Sequence, residues 1–342
     1  MSDVVTFGEA MVRLAPPHFQ RLEQTNSLDV QVGGGELNVA VAVSRLGLTS
    51  SWVSRLPDNP LGRMVRNRAR EHGVDTSQVI WGGGRVGLYF VEFGAAPRAS
   101  SVLYDRAHSA FSQIQPGDVD WAGALRGCRV FHTSGIAPAL SPSAAAVTRE
   151  ALQAARQAGA LVSYDLNYRS KLWTAEEARR CQKPLMQLVD FLMTTEEDTR
   201  VVFGIGADVG VQKDDTYATV TAELYKEAAR KLAEKFGLRA VAITLRENPG
   251  VWRNTWTAIA YAGGRFYEDR KYELEVVDRV GGGDAFSAGF LCGYLTSGSF
   301  ESAVRLGNAS AALKHTHPGD LTWASRAEVE ALLQGPRLRV AR

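Results

Sequence analysis

A run of three glycines followed by an aspartate, Gly281 to Asp284, points more directly to chemistry than any other feature of this sequence. The run follows residues with strand character and precedes a long apolar segment, so we predict that a helix begins near Asp284. Glycine amides at a helix N-terminus bind anions, helped by a helix dipole of roughly half a unit charge. The aspartate would be either an ordinary helix N-cap or a base beside a bound phosphate. The run predicts phosphate binding and leaves the role of Asp284 open.

A second glycine-rich turn, Gly33 to Gly35, leads into another predicted helix that carries Asn38. One interpretation is a loop followed by capping residues. The other is a backbone that lies close enough to a polyol to hydrogen-bond it, with the Asn38 amide both donating and accepting. The turn alone favours the first interpretation.

Polar residues also follow a predicted strand at Asp165, Asn167 and Arg169. Ligands of open parallel sheets bind beyond the carboxyl ends of the strands, and alternate residues of an extended chain point to one side. The three side chains are therefore expected to converge on a hydroxyl- and anion-rich ligand. A strand-end turn would explain the aspartate and the asparagine, but less naturally the arginine.

The segment from Tyr104 to Ala110 contains Arg106 and is flanked by extended chain. It is either a salt-bridged surface strand or part of a lid. In a lid, the guanidinium would suit a carboxylate or a phosphate.

Other motifs carry less information. Gly82, Gly84 and Gly87 match a dinucleotide fingerprint, but strand formers follow them where a helix is required, so we predict a turn before a strand. The dipeptide Gly-Lys, which a Walker A motif needs, is absent. His315 and His317 lack a neighbouring carboxylate or thiol, so we expect surface or core residues.

Composition restricts the class of protein. The chain has 342 residues, of which 45% are hydrophobic and 22% charged, and its net charge of +2 is too small for a nucleic-acid binder. Cys128, Cys181 and Cys292 are scattered, which favours buried, reduced thiols. Neither a signal peptide nor a membrane span is predicted, so we expect a cytoplasmic protein without membrane or nucleic-acid partners.

The elements that must position these residues alternate between short strands and amphipathic helices. This order predicts a parallel sheet with helices on both faces. The predicted strands are Val4–Phe7, Ser51–Arg55, Val130–Thr133, Leu161–Leu166, Phe191–Thr194 and Ala240–Leu245. The predicted helices are Glu36–Leu46, Gly62–His72, Ser143–Gln157, Ala175–Leu188, Val220–Phe236, Ala285–Thr296, Phe300–Lys314 and Arg326–Leu333.

Two regions, about 10–35 and 80–111, interrupt this alternation. The second contains extended stretches at Val86–Phe93 and Ser101–Tyr104 without helices between them. We predict one small sheet built from both regions, which projects from the main layer as a lid over a cleft or as a dimer contact. Residues 207–217 are predicted to be a polar loop insertion.

In this order, the motifs resemble the PfkB (ribokinase-like) family of carbohydrate kinases, and within it the kinases of 2-keto-3-deoxygluconate. The resemblance extends over essentially the whole chain. It implies one domain over residues 1–342, an α/β three-layer sandwich with a mostly parallel central sheet and a projecting lid. The implied reaction is ATP- and Mg²⁺-dependent phosphorylation of the sugar acid at its terminal hydroxyl, giving the 6-phosphate. It also implies a homo-oligomer formed through the lid.

The resemblance also implies roles for individual residues. Asp284 would be the base, in an anion hole with the amides of Gly281, Gly282 and Gly283. The residues implied to face the sugar acid are Gly34, Asn38, Tyr89, Tyr104, Arg106, Arg169 and Asp278. Those implied to face the nucleotide are Asn167, Arg169, Thr244, Arg246, Gly281, Gly283 and Asn308. Asp278 is also associated with a monovalent cation such as K⁺.

This sequence departs from the family pattern at three positions. Arg279 and Gly282 replace the usual threonine and alanine of the C-terminal signature. Thr195 and Asp198 stand where an Asn-x-x-Glu element is common, so Glu197 and Asp198 are expected to hold Mg²⁺ through water. Two rival functions remain: a PfkB kinase for a neutral ketose such as fructose, and a non-catalytic sugar-binding paralogue.

Overall fold

The computed structural model describes residues 1–206, 222–247 and 249–335, so the predicted insertion at 207–217 lies outside the described residues. The strands are β1 (Val4–Phe7), β2 (Met11–Ala15), β3 (Asp29–Gly33), β4 (Ser50–Leu56), β5 (Val79–Trp81), β6 (Gly87–Glu92), β7 (Ser101–Asp105), β8 (Val130–Ser134), β9 (Leu161–Asp165), β10 (Phe191–Thr194), β11 (Ala240–Glu247), β12 (Arg253–Ala262), β13 (Arg265–Glu268) and β14 (Tyr272–Glu275). The helices are α1 (Gly35–Arg45), α2 (Pro60–Glu71), α3 (Trp121–Ala124), α4 (Ile136–Ala139), α5 (Pro142–Gln157), α6 (Ala175–Leu185), α7 (Glu196–Phe203), α8 (Ala222–Phe236), α9 (Gly282–Ser297), α10 (Phe300–Lys314) and α11 (Arg326–Gln334).

The central sheet has the strand order β13-β12-β11-β10-β9-β8-β1-β4-β5, with β14 also paired to β12. All pairs from β5 to β11 are parallel, and the pairs that involve β12 are antiparallel. Successive strand residues belong to different hydrophobic clusters: Val241 is in the cluster that contains residues of α5 and α8, whereas Ala240 is in the one that contains residues of α1, α9 and α10. The sheet is thus covered on both faces, which confirms the predicted three-layer α/β fold.

Glycine ends the helices where it was predicted to do so. Gly47, Gly73, Gly159 and Gly237 follow α1, α2, α5 and α8 with φ of 90°, 79°, 76° and 66°. This left-handed conformation satisfies helix C-terminal carbonyls and is strained for residues with a Cβ atom.

The small sheet has the order β3-β2-β6-β7 and draws all four strands from the regions 10–35 and 80–111. Gly82 and Gly84 precede β6 and Gly87 is its first residue, so a strand follows these glycines, as predicted. The adjoining β5 pairs with β4 at the edge of the central sheet instead.

The antiparallel strands β12, β13 and β14 were missed by the sequence analysis. Gly263 and Gly264, with φ of 57° and 76°, form the two-residue turn between β12 and β13. A Gly-Gly pair between two runs of β-branched and aromatic residues is a hairpin signal that could have located them.

Cys128, Cys181 and Cys292 are free thiols, and Cys181 is only partly buried. No helix among the described residues is long and apolar enough to cross a membrane.

Candidate active site

A cavity of about 930 Å³ lies beyond the carboxyl ends of the parallel strands, between the N-terminus of α9 and the small sheet. Fifteen of the seventeen residues predicted for the site line it. They are Gly34, Asn38, Tyr89, Tyr104, Arg106, Asn167, Arg169, Glu197, Asp198, Thr244, Arg246, Gly281, Gly282, Gly283 and Asp284. The fold therefore brings sequence-distant motifs to one place, as the strand-end rule for parallel sheets requires.

Asp284 is not a helix N-cap. Helix α9 begins at Gly282, before the predicted start near Asp284, and its N-cap is Gly281, which makes Asp284 the third helical residue. Its Oδ2 instead accepts a hydrogen bond of 2.6 Å from Nδ2 of Asn38. A side chain of α1 thus fixes the position of the Asp284 carboxylate at the cavity surface. The interpretation of Asp284 as a helix N-cap is wrong.

Asn38 connects the two glycine-rich turns. While its Nδ2 donates to Asp284, its Oδ1 accepts from the amide of Gly34 at 3.3 Å. The side chain thus fixes the catalytic candidate relative to the start of α1. A second Nδ2 hydrogen remains available to a ligand.

The three glycines of the run meet different constraints. A Cβ atom on Gly281, whose φ is 84°, would collide with the carbonyl of Asp320, and one on Gly282 would collide with the ring of His315. A Cβ atom on Gly283 would meet nothing within 4 Å. Side chains are excluded at the first two positions by packing, and Gly283 leaves open space at the cavity surface.

The amides of this helix terminus are available to an anion. The Gly282 amide donates to the Arg279 carbonyl at 3.4 Å. The amides of Gly283 and Asp284 have no acceptor among the described residues. Two free amides at the positive end of a sixteen-residue helix form a binding site for negative charge.

Several carboxyl groups around the cavity have raised pKa values. Burial raises the pKa of Asp284 to about 6, opposed by the hydrogen bond from Asn38. Burial also raises the pKa of Asp198 to about 6 and that of the fully buried Glu36 to about 7. The pKa of Asp165 is raised by burial and by the charges of Asp284 and Asp198. A carboxylate that titrates close to neutrality is suited to accept a proton from a hydroxyl group.

The small sheet contributes two tyrosines and an arginine. Tyr89 and Tyr104 stack with ring centroids 5.9 Å apart, and Arg106 lies 5.7 Å from the Tyr104 ring. The Arg106 guanidinium forms a short ion pair with Glu9, which sequence analysis missed and whose side chain is only 2% exposed. A substrate carboxylate would therefore meet an arginine that already has one partner.

The opposite wall is rich in guanidinium groups. Arg246 extends from β11 into the cavity, and no ion pair is formed by it within the described part of the chain. Burial of the Arg246 guanidinium, together with the positive charges of Arg279 and Arg169, lowers the pKa of Arg246. Asn167, next to them, has a left-handed φ of 39°, so the convergence of Asp165, Asn167 and Arg169 does not come from extended chain. A polyanion would relieve the repulsion between these arginines.

The first turn of α7 holds the acidic residues considered for Mg²⁺. Thr195 caps this helix by accepting from the Asp198 amide at 3.1 Å, and both Glu197 and Asp198 line the cavity. In the described ranges, no three acidic, histidine or cysteine side chains are close enough to form a metal cage. The donor set therefore suits a cation held mainly by water and ligand phosphates, which is the usual coordination of Mg²⁺.

Two predicted residues do not line the cavity. Asp278 is fully buried in an ion pair with Arg13, and Asn308 donates to Asp269 and to the Arg270 carbonyl. His315 and His317 are likewise outside it, with His315 in the core.

The cavity also contains acidic residues that the predictions omitted. They are Glu36, which lies between Gly35 and Asn38 of the second glycine-rich motif, and Asp320, which lies outside every motif identified in the sequence. The one sequence feature that could have indicated them is the acidic Glu36 at the start of an otherwise largely apolar helix.

Comparison with known proteins agrees with this geometry. The chain is 39% identical over 335 residues to a 2-dehydro-3-deoxygalactonokinase of Haloferax volcanii, covering 98% of this chain and 97% of that protein. It is 29% identical to a 5-dehydro-2-deoxygluconokinase of Shouchella clausii, covering 97% and 95%. The crystal structure of a 2-dehydro-3-deoxygluconokinase from Thermotoga maritima superposes with a TM-score of 0.92 at 41% identity, covering 97% of this chain and 98% of that one.

The model of the pfkB family of carbohydrate kinases matches residues 1–325. Together with the fold, the glycine run at α9 and the cavity beneath the small sheet, this match shows that the chain belongs to the PfkB family of carbohydrate kinases.

Proposed function

We propose that this kinase transfers the γ-phosphoryl group of ATP to the terminal hydroxyl of 2-keto-3-deoxygluconate, also called 2-dehydro-3-deoxygluconate. The observation that carries the proposal is the placement of Asp284. Its carboxylate is fixed by Asn38 beside the free amides of α9, between the small sheet and the arginine-rich wall.

In this reaction, the terminal hydroxyl oxygen forms a bond to the γ-phosphorus while the bond to the ADP oxygen breaks. Asp284 takes the hydroxyl proton, and the amides of Gly283 and Asp284 stabilise the charge on the transferring group. The Gly281 amide would complete the predicted anion hole, whereas the Gly282 amide donates to the Arg279 carbonyl and would have to exchange that long bond of 3.4 Å for the phosphoryl oxygen. Since phosphoryl transfer depends on positioning and charge neutralisation, a fixed base and fixed amides account for most of what the protein must do.

ATP would lie along the wall formed by Asn167, Arg169, Thr244 and Arg246. When bound, Mg²⁺ neutralises phosphate charge, and Glu197 and Asp198 would hold its water ligands. The small sheet would act as a lid, carrying Tyr89 and Tyr104 over the sugar and excluding water from the transfer.

The choice of a sugar acid is supported by the cations on both sides of Asp284. Arg106 has one nitrogen, Nη1, without a hydrogen bond to the described residues, and Arg169 lies among the carboxylates of Asp165, Asp198 and Asp284. Either guanidinium could bind the acid group, which a neutral ketose lacks. The names of the relatives, all of them kinases of keto-deoxy sugar acids, support the same substrate class.

A substrate panel tests this proposal. Release of ADP is measured with 2-keto-3-deoxygluconate, its C4 epimer 2-keto-3-deoxygalactonate, 5-keto-2-deoxygluconate, fructose and ribose. We expect the highest kcat/KM for the first compound. A preference for the epimer would move the assignment within the sugar acids, whereas a preference for fructose would refute it. A protein without turnover on any of them would be a non-catalytic paralogue.

Arg106→Ala separates recognition of the acid from general damage to the lid. With one charge-assisted hydrogen bond lost, kcat/KM for the sugar acid is expected to fall by about 10- to 100-fold. Weak turnover of a neutral sugar should change much less. Equal losses on both substrates would show that Arg106 serves the structure of the small sheet through Glu9.

We also propose that two copies of the chain associate through the outer face of the small sheet. The paired residues Val30, Leu14, Phe90 and Leu103 form one apolar row across its four strands, and Val30 and Leu103 are 52% and 58% exposed. Such a row stabilises an isologous contact. Sedimentation should show a dimer that Leu103→Glu converts to a monomer; a monomeric parent would refute the contact.

A further inference from the structure

The buried surroundings of Asp278 bear on the monovalent cation associated with this position. Its Oδ2 accepts from Nη2 of Arg13 at 2.6 Å and from the Gly319 amide at 3.0 Å. Its Oδ1 accepts from the Val280 amide at 3.0 Å. The carboxylate has a cationic partner and two amide donors, all supplied by the protein.

The same guanidinium neutralises a second carboxylate. Nη1 of Arg13 lies 2.7 Å from Oδ1 of Asp320, whose Oδ2 accepts from the Tyr89 hydroxyl at 2.5 Å. Arg13 and Tyr89 are paired residues of β2 and β6. Ion pairs and a hydrogen bond therefore connect the small sheet to the loop that contains Asp278 and to the loop that contains Asp320, both of which contact the glycine run.

Lys314 supplies the remaining charge. At the last position of α10 it is completely buried, and its Nζ donates to the carbonyl of Asp278 at 3.3 Å. A Cβ atom placed on Gly281 would lie 3.3 Å from Cε of this lysine, so the side chain runs directly beneath the N-cap of α9. Burial lowers its pKa, and the carboxylates of Asp278 and Asp320 act against that change.

These four side chains form a neutral set. Asp278, Asp320, Arg13 and Lys314 are at most 4% exposed, with two negative and two positive charges. An added K⁺ would leave one positive charge uncompensated in the interior, which is strongly unfavourable. The residues present do not fit a bound monovalent cation.

We propose that the ammonium group of Lys314, with Arg13, takes the place of a monovalent cation in this kinase and holds the loop before Gly281 in position. Lys314 and Arg13 are positioning residues, because they reach the anion hole through the backbone at 278–281. The inference relies on the proposed phosphoryl transfer only for its kinetic readout.

The parent protein provides the first test. Its thermal unfolding is measured in tetramethylammonium chloride, and again at equal ionic strength with Na⁺ and with K⁺. We expect no shift in Tm beyond the difference produced by Na⁺, and less than about a twofold change in kcat/KM. A saturable rise in Tm with K⁺, or activation of tenfold or more, would overturn the inference. The unfolding readout decides even if no sugar acid proves to be a substrate.

The variant Lys314→Ala provides the second test. Without K⁺, kcat is expected to fall by about a hundredfold, because the glycine run loses its support. K⁺ or NH₄⁺ should restore part of the activity and raise Tm, by entering the vacated volume. If the variant keeps the activity of the parent without K⁺, or if neither ion restores the lost activity, the proposal that Lys314 takes the place of a monovalent cation is wrong.

Lys231→Ala is the matched control, since this half-exposed lysine of α8 forms, among the described residues, a single ion pair, with Glu227 at the surface. It should leave both readouts, and their response to K⁺, unchanged. If Lys314→Ala does not fold, the titration of the parent protein with K⁺ decides the question.

Discussion

Replacing Asp284 by asparagine separates the role of the carboxylate in catalysis from its effect on stability. The substitution keeps the shape of the side chain, and the new amide oxygen can still accept from Nδ2 of Asn38, 2.6 Å away in the parent. What is lost is the proposed proton acceptor. Loss of a general base typically lowers kcat by about 10²–10⁴-fold, which corresponds to roughly 3–5 kcal/mol of transition-state stabilisation.

The stability of the same variant should change in the opposite direction. Burial raises the pKa of Asp284 to about 6, so the parent carries an unfavourably buried charge above that pH. Removing the charge should stabilise the fold at pH 8 by no more than about 3 kcal/mol, reduced by screening from solvent in the cavity. Denaturant unfolding measures this change, and a coupled ADP assay at saturating substrates measures kcat.

The result that would refute the reasoning is a kcat within about tenfold of the parent value. Asp190→Asn is a suitable control, because Asp190 is also buried but precedes β10 at the opposite edge of the sheet, where it pairs with Arg156. This control should lose stability and keep its kcat. A variant at Asp284 that loses both properties would indicate structural damage rather than the loss of a base.

Three further outcomes follow from the pKa shifts. Because Asp284 must be deprotonated to act, kcat/KM should fall about tenfold per pH unit below about 6; a flat profile down to pH 5 would exclude it as the base. Asn38→Ala removes a hydrogen bond that lowers the pKa of Asp284, so the acidic limb of this profile should move to higher pH; an unchanged limb would contradict the role given to Asn38. The pKa of Glu36 is raised from 4.5 to about 7, so its contribution to stability is complete below pH 4.5 and is lost as the pH rises through 7. Relative to Glu36→Gln, the free energy of unfolding of the parent should therefore fall by about 3 kcal/mol between pH 4.5 and pH 8, and parallel pH dependences would contradict this assignment.

Local patterns in the sequence were sufficient for most of the fold and for grouping most of the candidate site residues around one cavity. Alternating periodicity and glycine stops predicted the parallel strands and their helices, because backbone conformation and burial of apolar faces are encoded over a few residues. The rule that ligands bind at strand carboxyl ends then placed Asp165, Arg169 and the glycine run around one cavity. The hairpin at Gly263 was a local signal too, but it was overlooked.

Which partner each polar side chain meets was decided only by the tertiary structure. Asp284 could be a cap or a base until the start of α9 and the bond from Asn38, 246 residues away in sequence, excluded the cap. Arg106 was expected to be available for a substrate carboxylate, but it lies against the buried Glu9. Asp278, which the family pattern connects with a cation, is neutralised within the protein by Arg13. Ion pairs depend on distances of a few ångströms between chain segments and on burial, and neither quantity can be read from spacing along the chain.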